Sequence, residues 1–138
     1  MRLFLMTWMM AGLPLLGGKL PWIHSYEQAI GKARAEHRMV YVFIDAEGCP
    51  YCARMLHHVL ESKDVARNLK PYVLLRLKIH SPDAKKHFPK ARFTPTSYFL
   101  NSEGKILIDF AGYANEEFFF WDMSAAERIV EQAKKEGK

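Results

Sequence analysis

Apolar positions along this chain change their spacing several times, and each change marks an element. Tyr26, Ala29, Ile30 and Ala33 recur at i, i+3, i+4 and i+7, the stripe of an amphipathic helix. The spacing predicts a helix over 25–37 with Ser25 as its N-cap. Met39 to Ile44 (MVYVFI) is then continuously apolar and rich in β-branched and aromatic residues, which predicts a strand buried on both faces. Helical spacing returns at Cys52, Met55, Leu56, Val59 and Leu60. Ser62-Lys63-Asp64 breaks it, and Val65 to Leu69 reads as a further helical turn or two. Tyr72 to Ile79 is a second strand, followed by a Ser81-Pro82-Asp83 turn and a short helix to about His87. Thr96 to Leu100 and Lys105 to Phe110 are strands joined by the hairpin loop Asn101-Ser102-Glu103-Gly104. From Asn115 onward the chain is helical. Ser124 with Glu127 has the pattern of a capping box, which would divide that stretch into two helices.

The order helix, strand, helix, strand, short helix, strand, strand, helix predicts an α/β fold. Its opening strand–helix–strand unit implies a parallel pair with a right-handed crossover. The closing hairpin adds antiparallel strands, so the sheet is mixed, four- to five-stranded, with helices on both faces. At 138 residues, with no repeat, low-complexity stretch or linker, the chain holds one domain, placed at 19–138. Residues 1–18 read differently. Arg2 is their single charge, Leu3 to Leu16 is mostly apolar, and Gly17-Gly18 follows. That is the pattern of a secretory signal peptide or an uncleaved N-terminal anchor. Thr7, Gly12 and Pro14 interrupt the run, and it falls short of the ~20 residues that span a bilayer. The competing assignment is a buried N-terminal helix of a cytosolic protein.

Composition narrows the function. Apolar residues are 49% and charged residues 25%, which places the chain among globular rather than disordered proteins. The net charge of +5 comes from basic residues interleaved with acids, a solvated surface rather than a nucleic-acid footprint. Only two cysteines occur, Cys49 and Cys52, which excludes a disulfide-rich scaffold.

Those two cysteines carry the chemistry. Cys49-Pro50-Tyr51-Cys52 lies at the junction of an apolar strand and a helix. Pro50 suits the first helical position, where an N–H is not needed. Cys49 then takes the N-cap, facing free N–H groups and the positive end of the helix dipole. Both favour thiolate, so Cys49 is expected to have a depressed pKa and act as nucleophile. Cys52, one turn in and facing the core, is the resolving thiol. A purely structural disulfide would close a loop too short to stabilise much. Zinc would need two more ligands, and His57 and His58 point about 100° apart on a helix. Haem attachment needs His where Ala53 stands. His24, His37, His80 and His87 have no partner spacing and read as solvated or capping residues. Phe118-Phe119-Phe120-Trp121 reads as core and surface, with a partner-binding patch as the lesser alternative.

Strand–Cys49-Pro50-Tyr51-Cys52–helix, then Thr94-Pro95-Thr96 before a strand, then Gly112-Tyr113 before the last helix, resembles the thioredoxin fold over residues 22–122. The opening helix and the break at Glu61–Val65 resemble one branch, the bacterial periplasmic thiol:disulfide interchange proteins of SoxW and Dsb type. The resemblance implies a cis Pro95 lying against the cysteines. It implies that Thr94 offers backbone hydrogen bonds to an extended substrate and places its hydroxyl near the sulfurs. Pro50 and Tyr51 would join Thr94 and Pro95 in contacting substrate. It further implies protein thiol or disulfide substrates and a membrane or exported thiol partner. The expected protein is periplasmic and monomeric, with no organic cofactor, metal or nucleic acid. Thioredoxins carry a buried acid six residues before the first cysteine. Phe43 stands there, leaving Asp45 or Glu47 as substitutes. Glutaredoxin is disfavoured by Gly112-Tyr113-Ala114-Asn115 in place of its glutathione-binding segment. The expected activity is reduction or isomerisation of protein disulfides. The alternatives are a net disulfide donor or a redox-inert binding module.

Overall fold

The structure, a computed structural model, describes residues 19–137. The apolar segment 1–18, expected as a signal peptide or anchor, lies outside them. The elements run α1 (Tyr26–Glu36), β1 (Val40–Asp45), α2 (Pro50–Met55), a π-helical turn (Leu56–Leu60), α3 (Lys63–Leu69), β2 (Val73–Lys78), α4 (Pro82–His87), β3 (Thr96–Leu100), β4 (Ile106–Ala111) and α5 (Glu116–Lys135). The N-caps are the residues whose side chains can bond a free N–H of the first turn. Ser25, Ser62, Ser81 and Asn115 each accept such a bond, at the starts of α1, α3, α4 and α5.

The sheet has four strands in the order β2-β1-β3-β4. β1 pairs with β2 in parallel and with β3 antiparallel, and β3 pairs with β4 antiparallel. Beyond β2 a single parallel bridge joins Ile23 to Leu75. Every residue of β1 is buried, as expected for a central strand covered on both faces. Alternation then sorts its side chains. Val40, Val42 and Ile44 pack with α1 and α4 through Ala29, Ile30, Ala33, Ala84 and Phe88. Tyr41 and Phe43 face the other way, into a core shared with Cys52, Met55, Leu60, Phe99 and Phe119. Tyr41 is fully buried there and its hydroxyl is 2.8 Å from that of Ser97. Burial pushes its pKa upward, so it stays a neutral hydrogen-bonding group.

Three details differ from the sequence-based expectation. The helix after the cysteines widens into a π turn, with the Glu61 N–H bonded to the Leu56 carbonyl at 2.9 Å. The C-terminal helix is continuous through Ser124, because Glu127 is engaged elsewhere. Its carboxylate accepts from the Tyr72 hydroxyl at 2.7 Å instead of folding back on Ser124. α1 ends at Glu36, and His37 takes a left-handed conformation (φ 53°) that turns the chain toward β1.

Candidate active site

The site is built where β1 ends. The chain leaves the sheet at Asp45 and turns through Gly48, whose φ of +66° is open to glycine without steric cost. Cys49 follows in an extended conformation and Pro50 opens α2. This places Cys49 at the N-cap, as the sequence predicts, and the Cys52 N–H donates to its Sγ at 3.2 Å. The two cysteines form a disulfide with Cα atoms 5.2 Å apart. Cys52 is buried among Met55, Leu56 and the aromatic core, whereas Cys49 is partly exposed.

A second segment closes over the first. The Thr94–Pro95 peptide bond is cis and Pro95 is buried. Thr94 Oγ1 donates to Cys49 Sγ at 3.4 Å, and the Thr94 carbonyl oxygen lies 3.7 Å from the same sulfur. A third segment is tied to the second, since the Gly112 N–H donates to the Pro95 carbonyl at 2.7 Å. Two donors thus converge on the outer sulfur, and neither serves the inner one. Hydrogen bonds to a thiolate stabilise it and burial in an apolar core does the reverse. The two sulfurs are therefore unequal, the outer one hydrogen-bonded and partly exposed, the inner one buried.

The other side of the disulfide opens on a cleft of about 440 Å³ lined by Asp45, Glu47, Cys49, Cys52, Arg76 and Lys78, among others. Asp45 is buried, and a buried carboxylate needs charged partners. Arg76 supplies two hydrogen bonds to Oδ2, at 2.8 and 2.6 Å. The Lys78 ammonium is 3.2 Å from Oδ1, close enough for an ion pair though not aligned as a hydrogen bond. Lys78 also reaches the exposed Glu47 at 3.4 Å. Of the two acids proposed from sequence to stand in for the missing one, Asp45 shares the sheet face of Phe43. Phe43 itself is core, with Trp22 packed 6.0 Å from its ring. Glu47 lies out in solvent.

Tyr51 projects into solvent beside the disulfide, and Pro50 is exposed with it. His57 pairs with Glu61 at 3.2 Å. Arg76 and Lys78 are the site residues that sequence reasoning missed. Their signal was present, as two charges at alternate positions of an otherwise apolar strand, Val73-Leu74-Leu75-Arg76-Leu77-Lys78. The register sets Arg76 opposite Phe43 and Lys78 opposite Asp45, bringing both onto the cysteine face.

A family model described as a thioredoxin-like domain matches residues 26–125. Anterior gradient protein 2 homolog of Mus musculus is 22% identical over 120 residues, covering 86% of this chain and 67% of that protein. Among solved structures, a thioredoxin from Thermus thermophilus superposes with a TM-score of 0.68 and 25% identity, covering 86% of this chain and 93% of that one. A structure titled DsbH oxidoreductase superposes with a TM-score of 0.64 and 18% identity, covering 83% and 90%.

Proposed function

The chain belongs to the thioredoxin-like domain family and is a thiol–disulfide oxidoreductase; from that premise we propose that it reduces or isomerises protein disulfides, with Cys49 as nucleophile and Cys52 as resolving thiol. The observation that carries this reading is the convergence of the Cys52 N–H and the Thr94 hydroxyl on Cys49 Sγ alone.

The reaction proceeds by two exchanges. The Cys49 thiolate attacks one sulfur of a client disulfide, forms a mixed disulfide, and displaces the other client sulfur as a thiolate. Cys52 loses its proton and attacks Cys49 Sγ. The Cys49–Cys52 bond forms, the mixed disulfide breaks, and the second client sulfur leaves as a thiolate. The client gains two electrons and its thiolates take up the two protons the cysteines released. A thiol reductant must then return two electrons to the pair. In isomerisation a different thiolate of the client attacks the client sulfur of the mixed disulfide, a new client disulfide forms, and the Cys49 thiolate leaves. The client segment lies extended beside Thr94, pairing with its backbone as a short added strand, with Pro50, Tyr51 and Pro95 forming the surface under it.

A reducing or isomerising role is supported by the modest set of donors on Cys49, one backbone N–H and one hydroxyl, with no histidine between the cysteines. We further propose that residues 1–18 export the domain to the periplasm, cleaved as a signal or retained as an anchor. The support is the Arg2 start and the apolar run after it. Fusing residues 1–20 to a reporter tests this, since a reporter that stays in the cytoplasm contradicts it. The activity is tested by insulin reduction with dithiothreitol as the electron source. The intact protein accelerates precipitation and Cys49→Ser does not. Equal acceleration by Cys49→Ser would contradict the assignment.

A further inference from the structure

Three segments meet at the disulfide, and their contacts fix its rim. Cys49 touches Thr94, Pro95 is bonded to Gly112, and the Arg54 guanidinium lies 6.0 Å from the Tyr113 ring centroid. The segments that carry these contacts are 49–54, 90–95 and 111–114. Three of their residues are aromatic and face solvent: Tyr51 is 60% exposed, Phe93 70% and Tyr113 41%. Exposed aromatics on the segments that meet at a reactive bond supply contact area for a partner at low entropic cost. Phe93 immediately precedes Thr94, the residue that touches Cys49 Sγ, and its ring is open to solvent.

Charge on the same rim has one sign. The three segments carry Arg54, Lys90 and Arg92 and no Asp or Glu. All three cations are exposed, and none has a carboxylate within ion-pair distance among the described residues. The segment leading to Thr94 continues the pattern with Lys85 and Lys86, exposed in the last turn of α4. The acids that flank these segments in sequence are engaged elsewhere or belong to other elements. Asp45 is buried under Arg76, Glu47 is paired with Lys78 on the cleft side, Asp109 stands opposite Tyr98 in the β3–β4 pair, and Glu116 and Glu117 belong to the first turn of α5. The segments around the disulfide thus carry three cations and no carboxylate of their own.

We propose that the rim of Arg54, Lys90, Arg92, Tyr51, Phe93 and Tyr113 selects protein clients whose cysteine lies in an extended segment bearing Asp or Glu beside an apolar or aromatic residue. This rests on the oxidoreductase reading above and names its substrate class. Complementary charge steers encounter and rejects like-charged segments, while the aromatics supply contact once docked. Each exposed charge pair contributes a factor of about 1.4 to 5, so three acting together give about tenfold.

The test uses the reduced full chain and two disulfide peptides of one apolar–aromatic sequence, flanked by Asp and Glu in one and by Lys in the other. Second-order rate constants are read at low and high ionic strength. The acidic peptide reacts about tenfold faster at low ionic strength, and the ratio falls toward one as salt screens it. In R54E/R92E the ratio inverts. Because the readout is a ratio, a general loss of activity in the variant cancels. Equal rates for both peptides at low salt, or an unchanged ratio in R54E/R92E, overturn the selectivity while leaving the oxidoreductase reading intact. Failure of both peptides to exchange at all overturns the two together.

Discussion

Thr94 Oγ1 donates to Cys49 Sγ across 3.4 Å, although the two residues are 45 positions apart in sequence. The hydroxyl and the Cys52 N–H make Cys49 the better-supported sulfur. After reduction, iodoacetamide at mildly acidic pH labels Cys49 first, at least about tenfold faster than Cys52, because the thiolate is the reacting species. Thr94→Val removes one donor and nearly preserves shape. It slows Cys49 labelling at that pH by about tenfold, the worth of one hydrogen bond to a charged group. Peptide mapping of the labelled thiols reads both effects. Equal labelling of the two cysteines, or no change in Thr94→Val, contradicts the asymmetry.

Role assignment is checked by trapping. In Cys52→Ser the mixed disulfide with a client has no internal thiol to resolve it, so covalent complexes accumulate. Cys49→Ser lacks the attacking sulfur and accumulates few. Diagonal gels, non-reducing then reducing, distinguish the two. Equal trapping by Cys49→Ser would reverse the roles.

Much of this site was legible in the sequence because its signals are local. Pro50 at the first helical position fixes Cys49 at the N-cap, and an apolar strand beforehand places both at the end of a buried central strand. The Thr94 contact was legible only through family resemblance, since nothing local to either residue announces it. The Asp45–Arg76–Lys78 cluster depends on strand register, which no single segment encodes. The π turn at Leu56–Leu60 was hidden because it keeps Leu56, Val59 and Leu60 buried, as an α-helix with the same apolar spacing would. The continuous α5 was obscured because Glu127 has a partner, Tyr72, from another part of the chain.

Arg38 was likewise unreadable from its neighbours. Its guanidinium donates to the carbonyls of Pro71, Lys70 and Tyr72 at 2.9, 2.8 and 2.7 Å, closing the loop between α3 and β2. Arg38→Ala leaves these carbonyls without that donor, and is expected to destabilise the fold by about 2 kcal/mol. Denaturant unfolding measures it. A loss below about 0.5 kcal/mol would mean that water replaces the clamp at little cost.

Asp122 gives a pH signature. Its partial burial raises its pKa above the ordinary carboxylate value of 3.8. The folded protein therefore holds this proton to higher pH than the unfolded chain does. Through that window the folded state binds more protons, so this contribution to stability falls as pH rises. Asp122→Asn removes the penalty. Its Tm exceeds that of the parent at pH 7, and the difference closes below about pH 3.8. Thermal unfolding across pH reads it, and a variant less stable at pH 7 contradicts the assignment.

The reduction potential of the Cys49–Cys52 pair separates a reductant or isomerase from a net oxidant. Stabilising the Cys49 thiolate favours the reduced form and makes the pair more oxidising. Here the direct contacts come from one N–H and one hydroxyl, and the exposed cations Arg54, Lys90 and Arg92 are screened by solvent. The charged side chains of the adjoining cleft nearly cancel, Asp45 and Glu47 against Arg76 and Lys78. The expected potential is about −200 mV, roughly 4 kcal/mol less thiolate stabilisation than in a strong oxidant at about −120 mV. Equilibration in glutathione buffers, acid quenching and mass measurement of the two forms gives the value. A potential near −200 mV is the predicted result, and one above about −140 mV would contradict the reductase reading and make the protein a disulfide donor.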